Sequence, residues 1–136
     1  MRARLLAERA TFSEGPQAPL AREALTQHLL TVVTTLEPSC LGVYWPVRSE
    51  FNAIQVFLPP QTRNTMRLAL PFVHKSPPWM EYRAWGGEPP TLRDEVGIPC
   101  VAGELMMPGV VLVPCLGFTD EAYRLGYGGG YFVRWL

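Results

Sequence analysis

The sequence predicts an α/β fold, a three-layer domain with a mainly parallel sheet flanked by helices. Three observations predict it. Three short apolar runs, Leu41-Gly42-Val43-Tyr44-Trp45, Leu68-Ala69-Leu70 and Val110-Val111-Leu112-Val113, each stop at a proline: Pro46, Pro71 and Pro114. None alternates apolar with polar residues, so each suits a strand covered on both faces, as in a parallel sheet. Two segments with helical spacing precede the first run, and the order helix, helix, strand, helix, strand, extended segment, strand is that of an α/β chain.

Each element has its local reason. Arg2 to Phe12 is expected to form a short helix with Leu5 and Leu6 inward, ended by Ser13, Gly15 and Pro16. Pro19 suits the first turn of a second helix, where a missing amide costs no intrahelical bond. Leu20, Leu25, Leu29, Val32, Val33 and Leu36 recur at helical spacing and predict one buried face, with Pro38 just beyond its end. Asn52 to Leu58 fits a crossover helix, while Ile54, Val56 and Phe57 also fit a strand. Met80 to Trp85 is expected to be extended. Pro59-Pro60, Pro77-Pro78 and Pro89-Pro90 are read as loops, because proline lacks an amide donor and restricts the residue before it. Val43, Leu70 and Val111 are expected on adjacent buried strands.

Composition bounds the function. The 136 residues suit a single domain spanning the whole chain, and 48% hydrophobic against 18% charged residues argues for a packed core. Twelve basic and twelve acidic residues cancel, so no general field favours nucleic acid or an anionic membrane, and neither is an expected partner. No segment approaches the roughly 20 apolar residues of a membrane span. Cys40, Cys100 and Cys115 form no CxxC pair, which fits reduced thiols rather than a disulfide or zinc framework. With Glu8, Arg9, Ser13 and Glu14 interrupting the N-terminal segment, no signal peptide is expected, and the reading is cytoplasmic. His28 and His74 have no partner cluster in the sequence, and neither is assigned a catalytic role.

The strongest local signal is Arg124-Leu125-Gly126-Tyr127-Gly128-Gly129-Gly130-Tyr131. Glycines expose backbone amides without Cβ obstruction, so such a run can cradle a phosphate, with Arg124 as a charged partner. A plain glycine turn is the other reading of the same residues. The run is not a Walker A loop, since no Lys-Ser or Lys-Thr follows it.

Together with Gly117-Phe118 and Phe132, this run resembles the "PGxxFD…RLGYGGGYYDR" signature of the 5-formyltetrahydrofolate cyclo-ligase (5,10-methenyltetrahydrofolate synthetase) family. Tyr44-Trp45-Pro46-Val47-Arg48-Ser49-Glu50-Phe51 resembles that family's "YxPxxxE" segment. Leu70-Pro71 is a third match, and Met80-Glu81-Tyr82 with Trp85 resembles "MxFxxW". The matches occur in the family's order.

The resemblance implies an ATP-dependent conversion of 5-formyltetrahydrofolate to 5,10-methenyltetrahydrofolate, with ATP and Mg2+ required. It implies that Arg124 acts on the phosphate in catalysis. Arg2, Arg9, Gly126, Gly128, Gly129, Gly130 and Tyr131 would hold the nucleotide. Tyr44, Glu50, Met80, Trp85 and Phe132 would hold the folate, Glu50 bonding the pterin and the others walling it. Glu50, Met80 and the Gly128–Gly130 loop are therefore expected to line one cleft beyond the carboxyl ends of strands. The metal ligands are not assigned.

The sequence also departs from the pattern. Val133 stands where the family has an acid, and Asn52 where an acid often follows the Glu-Phe pair. The family lysine four positions before Arg2 would precede Met1. The resemblance further implies a helix and sheet elements past Leu136, so the chain reads as shortened at its C-terminal end. An uncovered surface would be closed by a homodimer. The alternative function is a non-catalytic relative that retains folate or nucleotide binding.

Overall fold

The computed structural model describes residues 1–63 and 65–126. The first helix, α1, spans Arg2–Ser13 and the second, α2, Ala18–Leu36. The bend between them is tied by Gly15, whose amide donates to the Phe12 carbonyl, and by Arg22 of α2, whose guanidinium donates to the Ser13 carbonyl. A cation on the last carbonyls complements the helix dipole. Glu37 ends α2 in the left-handed region at φ 48° and returns its amide to Val33.

Beyond the helices run β1 (Cys40–Gly42), the single turns α3 (Ile54–Phe57) and α4 (Pro60–Arg63), then β2 (Arg67–Lys75) and β3 (Pro78–Trp85). Six two-residue strands follow: β4 (Leu92–Arg93), β5 (Pro99–Cys100), β6 (Leu105–Met106), β7 (Val110–Val111), β8 (Gly117–Phe118) and β9 (Arg124–Leu125). Five strands form the main sheet in the order β6-β3-β2-β1-β7; β4 pairs β5 and β8 pairs β9 in two small ribbons.

The α/β class stands, but the sheet is mixed rather than mainly parallel. β1 runs parallel to β2 and β7, whereas β2–β3 and β3–β6 are antiparallel, and the eight-pair β2–β3 ladder is the longest. The cause is local: only Ser76 and Pro77 separate β2 from β3, and two residues can close a hairpin but not a parallel crossover. Nor do the described residues show three layers. The large apolar cluster holds Val33 of α2 and Ile54, Val56 and Phe57 of α3 with Leu41, Val43, Leu68, Leu70 and Trp85. The cluster on the other sheet face joins Cys40, Ala69, Val73, Met80 and Tyr82, with no described helix contributing.

Pro71 does not end its strand, as the sequence pattern suggested. It pairs with Tyr82 inside β2 and ends a different thing, the β1–β2 ladder. Val43 donates to the Ala69 carbonyl, and the next parallel bond would need an amide at Pro71, which has none. β1 and β2 therefore part there. Val43, Leu70 and Val111 do fall on neighbouring chain segments, Val43 one residue past β1, although Val111 is only half-buried.

The apolar stripe of α2 is placed differently from the expectation. Val33 is buried and Leu29 and Leu30 pack beside it, but Leu20, Leu25, Val32 and Leu36 are exposed. The stripe is wider than one helix-to-sheet contact, and the sheet takes the edge carrying Leu29, Leu30 and Val33. Between the two alternatives for Asn52 to Leu58, the helical one holds, as one turn only.

Candidate functional site

Past β1 the chain leaves the sheet and makes a tight turn at Val47–Glu50. The Glu50 amide donates to the Val47 carbonyl (3.2 Å), and the Val47 amide donates to Glu50 Oε1 (2.9 Å). Arg48 stands in the left-handed region at φ 55°. A non-glycine residue there costs about 1–3 kcal/mol and persists only where its neighbours hold it. Tyr44, buried, supplies one such hold: its hydroxyl donates to the Phe51 carbonyl at 2.6 Å.

A second hold comes from α1. Arg9 Nε donates to Ser49 Oγ at 2.9 Å, and Arg9 Nη1 reaches the Cys115 carbonyl at 3.5 Å. About two turns earlier on the helix, Arg2 Nε donates to the Gly126 carbonyl at 3.0 Å. Between them Leu5 lies against β8; a Cβ on Gly117 would sit 3.4 Å from Leu5 Cδ1. Positions 2, 5 and 9 share a helix face, so α1 lies across the 115–126 segment along one side. The β8–β9 ribbon, with Gly117 facing Leu125 and Phe118 facing Arg124, delivers the chain to Gly126 and leaves Arg124 exposed.

The structure thus brings Arg2, Arg9, Gly126, Ser49 and the Glu50 turn around one helix. It does not bring Met80 and Trp85 together. Five residues apart on one strand, they point to opposite faces. Met80 packs in the smaller cluster with Tyr82, whereas Trp85 is 5% exposed in the large cluster, edge-on to Trp45 and with its indole N–H donated to the Glu88 carbonyl. Gly128, Gly129, Gly130, Tyr131, Phe132 and Val133 lie outside the described residues. The expected cleft of Glu50, Met80 and Gly128–Gly130 therefore has only its first two members in view.

An open cavity of about 320 Å3 lies elsewhere, where Arg63, Arg67, Trp85 and Gly86 meet at the amino end of β2. Open α/β sheets bind ligands beyond the carboxyl ends of their parallel strands, and Arg67 is already paired with Glu104 at 2.6 Å. The carboxyl-end turn at Glu50 is the better candidate. Among the described residues no three His, Cys, Asp or Glu side chains converge as a metal cage. No described helix is long and apolar enough to cross a membrane.

Two features escaped the sequence reading. Ser49 has no signal of its own in the sequence and stands there only as one residue of the Tyr44–Phe51 segment. His74 does have a partner cluster: Nε2 meets Glu81 Oε1 at 3.0 Å and Nδ1 meets Glu95 Oε2 at 2.8 Å, while Arg83 donates to Glu81 at 2.7 Å. Trp79 stacks on the imidazole at 4.1 Å. The hydrogen bond to Glu81, reinforced by Glu95, holds the His74 pKa above its ordinary value. Burial pushes the Glu81 carboxyl up, but His74 and Arg83 together bring it below the ordinary carboxylate range. With both ring nitrogens engaged, His74 is not a free base. A β2–β3 hairpin with a two-residue turn puts His74 opposite Trp79 and diagonal to Glu81, so the register was the signal that would have found it.

Fold and site together describe an α/β protein with a candidate ligand site beyond the parallel strands, bordered by an N-terminal helix. Two solved structures of similar form are 5,10-methenyltetrahydrofolate synthetases. That from Mycoplasma pneumoniae matches with a TM-score of 0.70 and 20% identity, over 98% of this chain and 73% of that one. That from Aquifex aeolicus matches with a TM-score of 0.70 and 24% identity, over 98% of this chain and 68% of that one. The chain has their fold. No family model matches the sequence, and no curated protein matches it significantly.

Proposed function

We propose that the protein binds ATP and 5-formyltetrahydrofolate side by side and forms 5,10-methenyltetrahydrofolate. The observation that carries this reading is α1, which bonds at one end to Gly126, at the head of the glycine run, and at the other to Ser49, beside Glu50. Motifs matched independently in the sequence thus meet around one helix, on the fold of two methenyltetrahydrofolate synthetases.

The formyl oxygen on N5 takes the γ-phosphoryl group and ADP leaves. N10 then attacks the activated carbon, the C–O bond to phosphate breaks, N10 loses its proton, and the ring closes. The protein's part is positioning and charge compensation. Glu50 anchors the pterin through a carboxylate bond, Tyr44 and Met80 supply apolar surface, and Arg124 with the amides at Gly126 and Gly128–Gly130 holds phosphate. Magnesium, arriving with the triphosphate, would offset its charge. A homodimer would draw on Leu25, Val32 and Leu36, the α2 stripe that the fold leaves exposed.

The test is the absorbance of methenyl-folate when the protein meets ATP, magnesium and 5-formyltetrahydrofolate. Product formation at a rate proportional to protein supports the reading. A second reading, binding without turnover, rests on Val133, which offers no oxygen where the family has an acid. Ligand binding by calorimetry without product selects it, and absence of binding by either ligand defeats both.

A further inference from the structure

We infer that His74 is the pin of a pH-sensitive clasp: its imidazolium holds the Asp94–Glu95 segment against the edge of β2 that Pro71 frees from β1, and loss of its proton releases the Glu95 half of that clasp. Residues 69, 71, 73 and 75 present their backbone groups to the same side of β2. The Ala69 carbonyl takes the Val43 amide, and Pro71 has no amide to continue the pairing. Beyond it the Asp94–Glu95 segment stands in for a neighbouring strand. Asp94 Oδ2 accepts the Val73 amide at 3.1 Å, the Glu95 amide donates to the Val73 carbonyl at 3.2 Å, and Glu95 Oε1 accepts the Lys75 amide at 2.9 Å. A bare strand edge invites pairing with another chain, so the cover protects the sheet.

The two halves of the cover are held differently. Asp94 is buried, and its other oxygen accepts the amides of Val96 and Ile98, so backbone bonds alone fix it. Glu95 is exposed and spends Oε1 on Lys75 and Oε2 on His74 Nδ1 at 2.8 Å. His74 Nε2 meets Glu81, which Arg83 also holds. An imidazolium donates to both carboxylates, whereas a neutral ring has one N–H and serves one. Glu81, less exposed and compensated by Arg83, keeps that proton. The Nδ1 lone pair then faces Glu95 Oε2, the carboxylate turns to water, and the Lys75 amide loses its acceptor. The other charges nearby do not replace the pin. The Lys75 side chain lies on the opposite strand face, Arg93 donates to the Gly97 carbonyl, and burial holds the Cys100 thiol above its ordinary value. Burial raises the Glu81 carboxyl but His74 and Arg83 bring it below its ordinary value, and the Lys75 amide, then His74, does the same for Glu95. His74 is thus the group that titrates near neutrality. Its bond to Glu81, reinforced by Glu95, raises its pKa, so the clasp is closed below the ordinary 6.5 and opens as pH climbs through the raised value.

The test is an NMR titration of the full chain from about pH 5.5 to about pH 8.5, the range in which histidine changes charge. The His74 ring is followed beside that of His28, exposed on α2. The Lys75 amide proton is expected to move upfield with the His74 midpoint, as it leaves the carboxylate. Its protection from hydrogen exchange should fall about two- to fivefold, the scale of an exposed ion pair. The Val73 amide, on Asp94, and the Phe72 amide, inside the β2–β3 ladder, should keep their protection. His74→Gln should abolish the Lys75 shift, and Glu95→Gln should lower the His74 midpoint. A Lys75 amide that does not titrate with His74, or an unchanged His74 midpoint in Glu95→Gln, would overturn the clasp. So would an equal loss of protection at Phe72, which would mean that the whole hairpin opens. Persistence of the Lys75 shift in His74→Gln would assign it to another group and overturn it as well.

Discussion

Glu50 offers the sharpest separation of structure from function, because its carboxylate has a role in each. Oε1 accepts the Val47 amide at 2.9 Å and helps hold the turn that stores the Arg48 strain. Glu50→Gln keeps an acceptor at that position; Glu50→Ala does not. Leaving a partly buried amide without its acceptor costs about 1–3 kcal/mol, and relaxation of the strained turn returns part of it. Glu50→Ala should therefore destabilise the fold by about 1–2 kcal/mol, and Glu50→Gln by about 0.5 kcal/mol or less. For a chain of this size 1 kcal/mol corresponds to roughly 4 °C in Tm, so calorimetric scans resolve the two. Folate binding should rank them differently. The charge-assisted bond is worth about 1.5–3 kcal/mol, or about 10- to 100-fold in Kd, and both substitutions remove the charge. Both variants should thus lose folate affinity by at least about tenfold, although alanine loses much the more stability. A glutamine variant that binds as tightly as the wild type would refute the ligand role, and an alanine variant with unchanged Tm would refute the structural one.

Two further predictions follow from packing and charge. A Cβ on Gly103 would lie 2.0 Å from the Ala84 carbonyl oxygen, where the Ala84 amide also donates to the Glu104 carbonyl. Gly103→Ala should pry β6 from β3 and cost about 3 kcal/mol, read as a lower denaturant midpoint, and an unchanged midpoint would show that the strand junction gives freely. The His74 cluster should give a pH window. His74 faces Glu81 on β3 and Glu95 beyond β4, Arg83 faces Glu81, and both ring nitrogens meet acceptors that only an imidazolium satisfies together. Because its folded pKa is raised, the stabilisation is complete below the ordinary value of 6.5 and is lost as pH climbs through the raised one. Glu81 and Glu95 are depressed, so theirs is present above the ordinary 4.5 and lost as pH falls through the folded values. Stability should decline on the alkaline side in the wild type and lose that slope in His74→Gln; an identical slope in both would assign it to other groups.

The sequence by itself determined what neighbouring residues decide among themselves. The limits of α1 and α2, the presence of a strand in each of the three apolar runs and the extended Met80–Trp85 segment were legible because capping and periodicity act within a few residues. The odd separation of positions 80 and 85 even carried the news that Met80 and Trp85 lie on opposite faces, although the motif match grouped them. Only the tertiary structure decided which partner each strand takes. The two-residue link at Ser76-Pro77 made the sheet mixed, and the same Pro71 that looked like a strand end proved to end a pairing instead. It alone chose which edge of the α2 stripe meets the sheet, leaving Leu25, Val32 and Leu36 outside. Arg9 and Ser49 are 40 positions apart, and His74 and Glu95 are 21. No local preference selects such pairs; they form because packing of the backbone elements brings their side chains within hydrogen-bond reach, and that packing is a property of the whole chain.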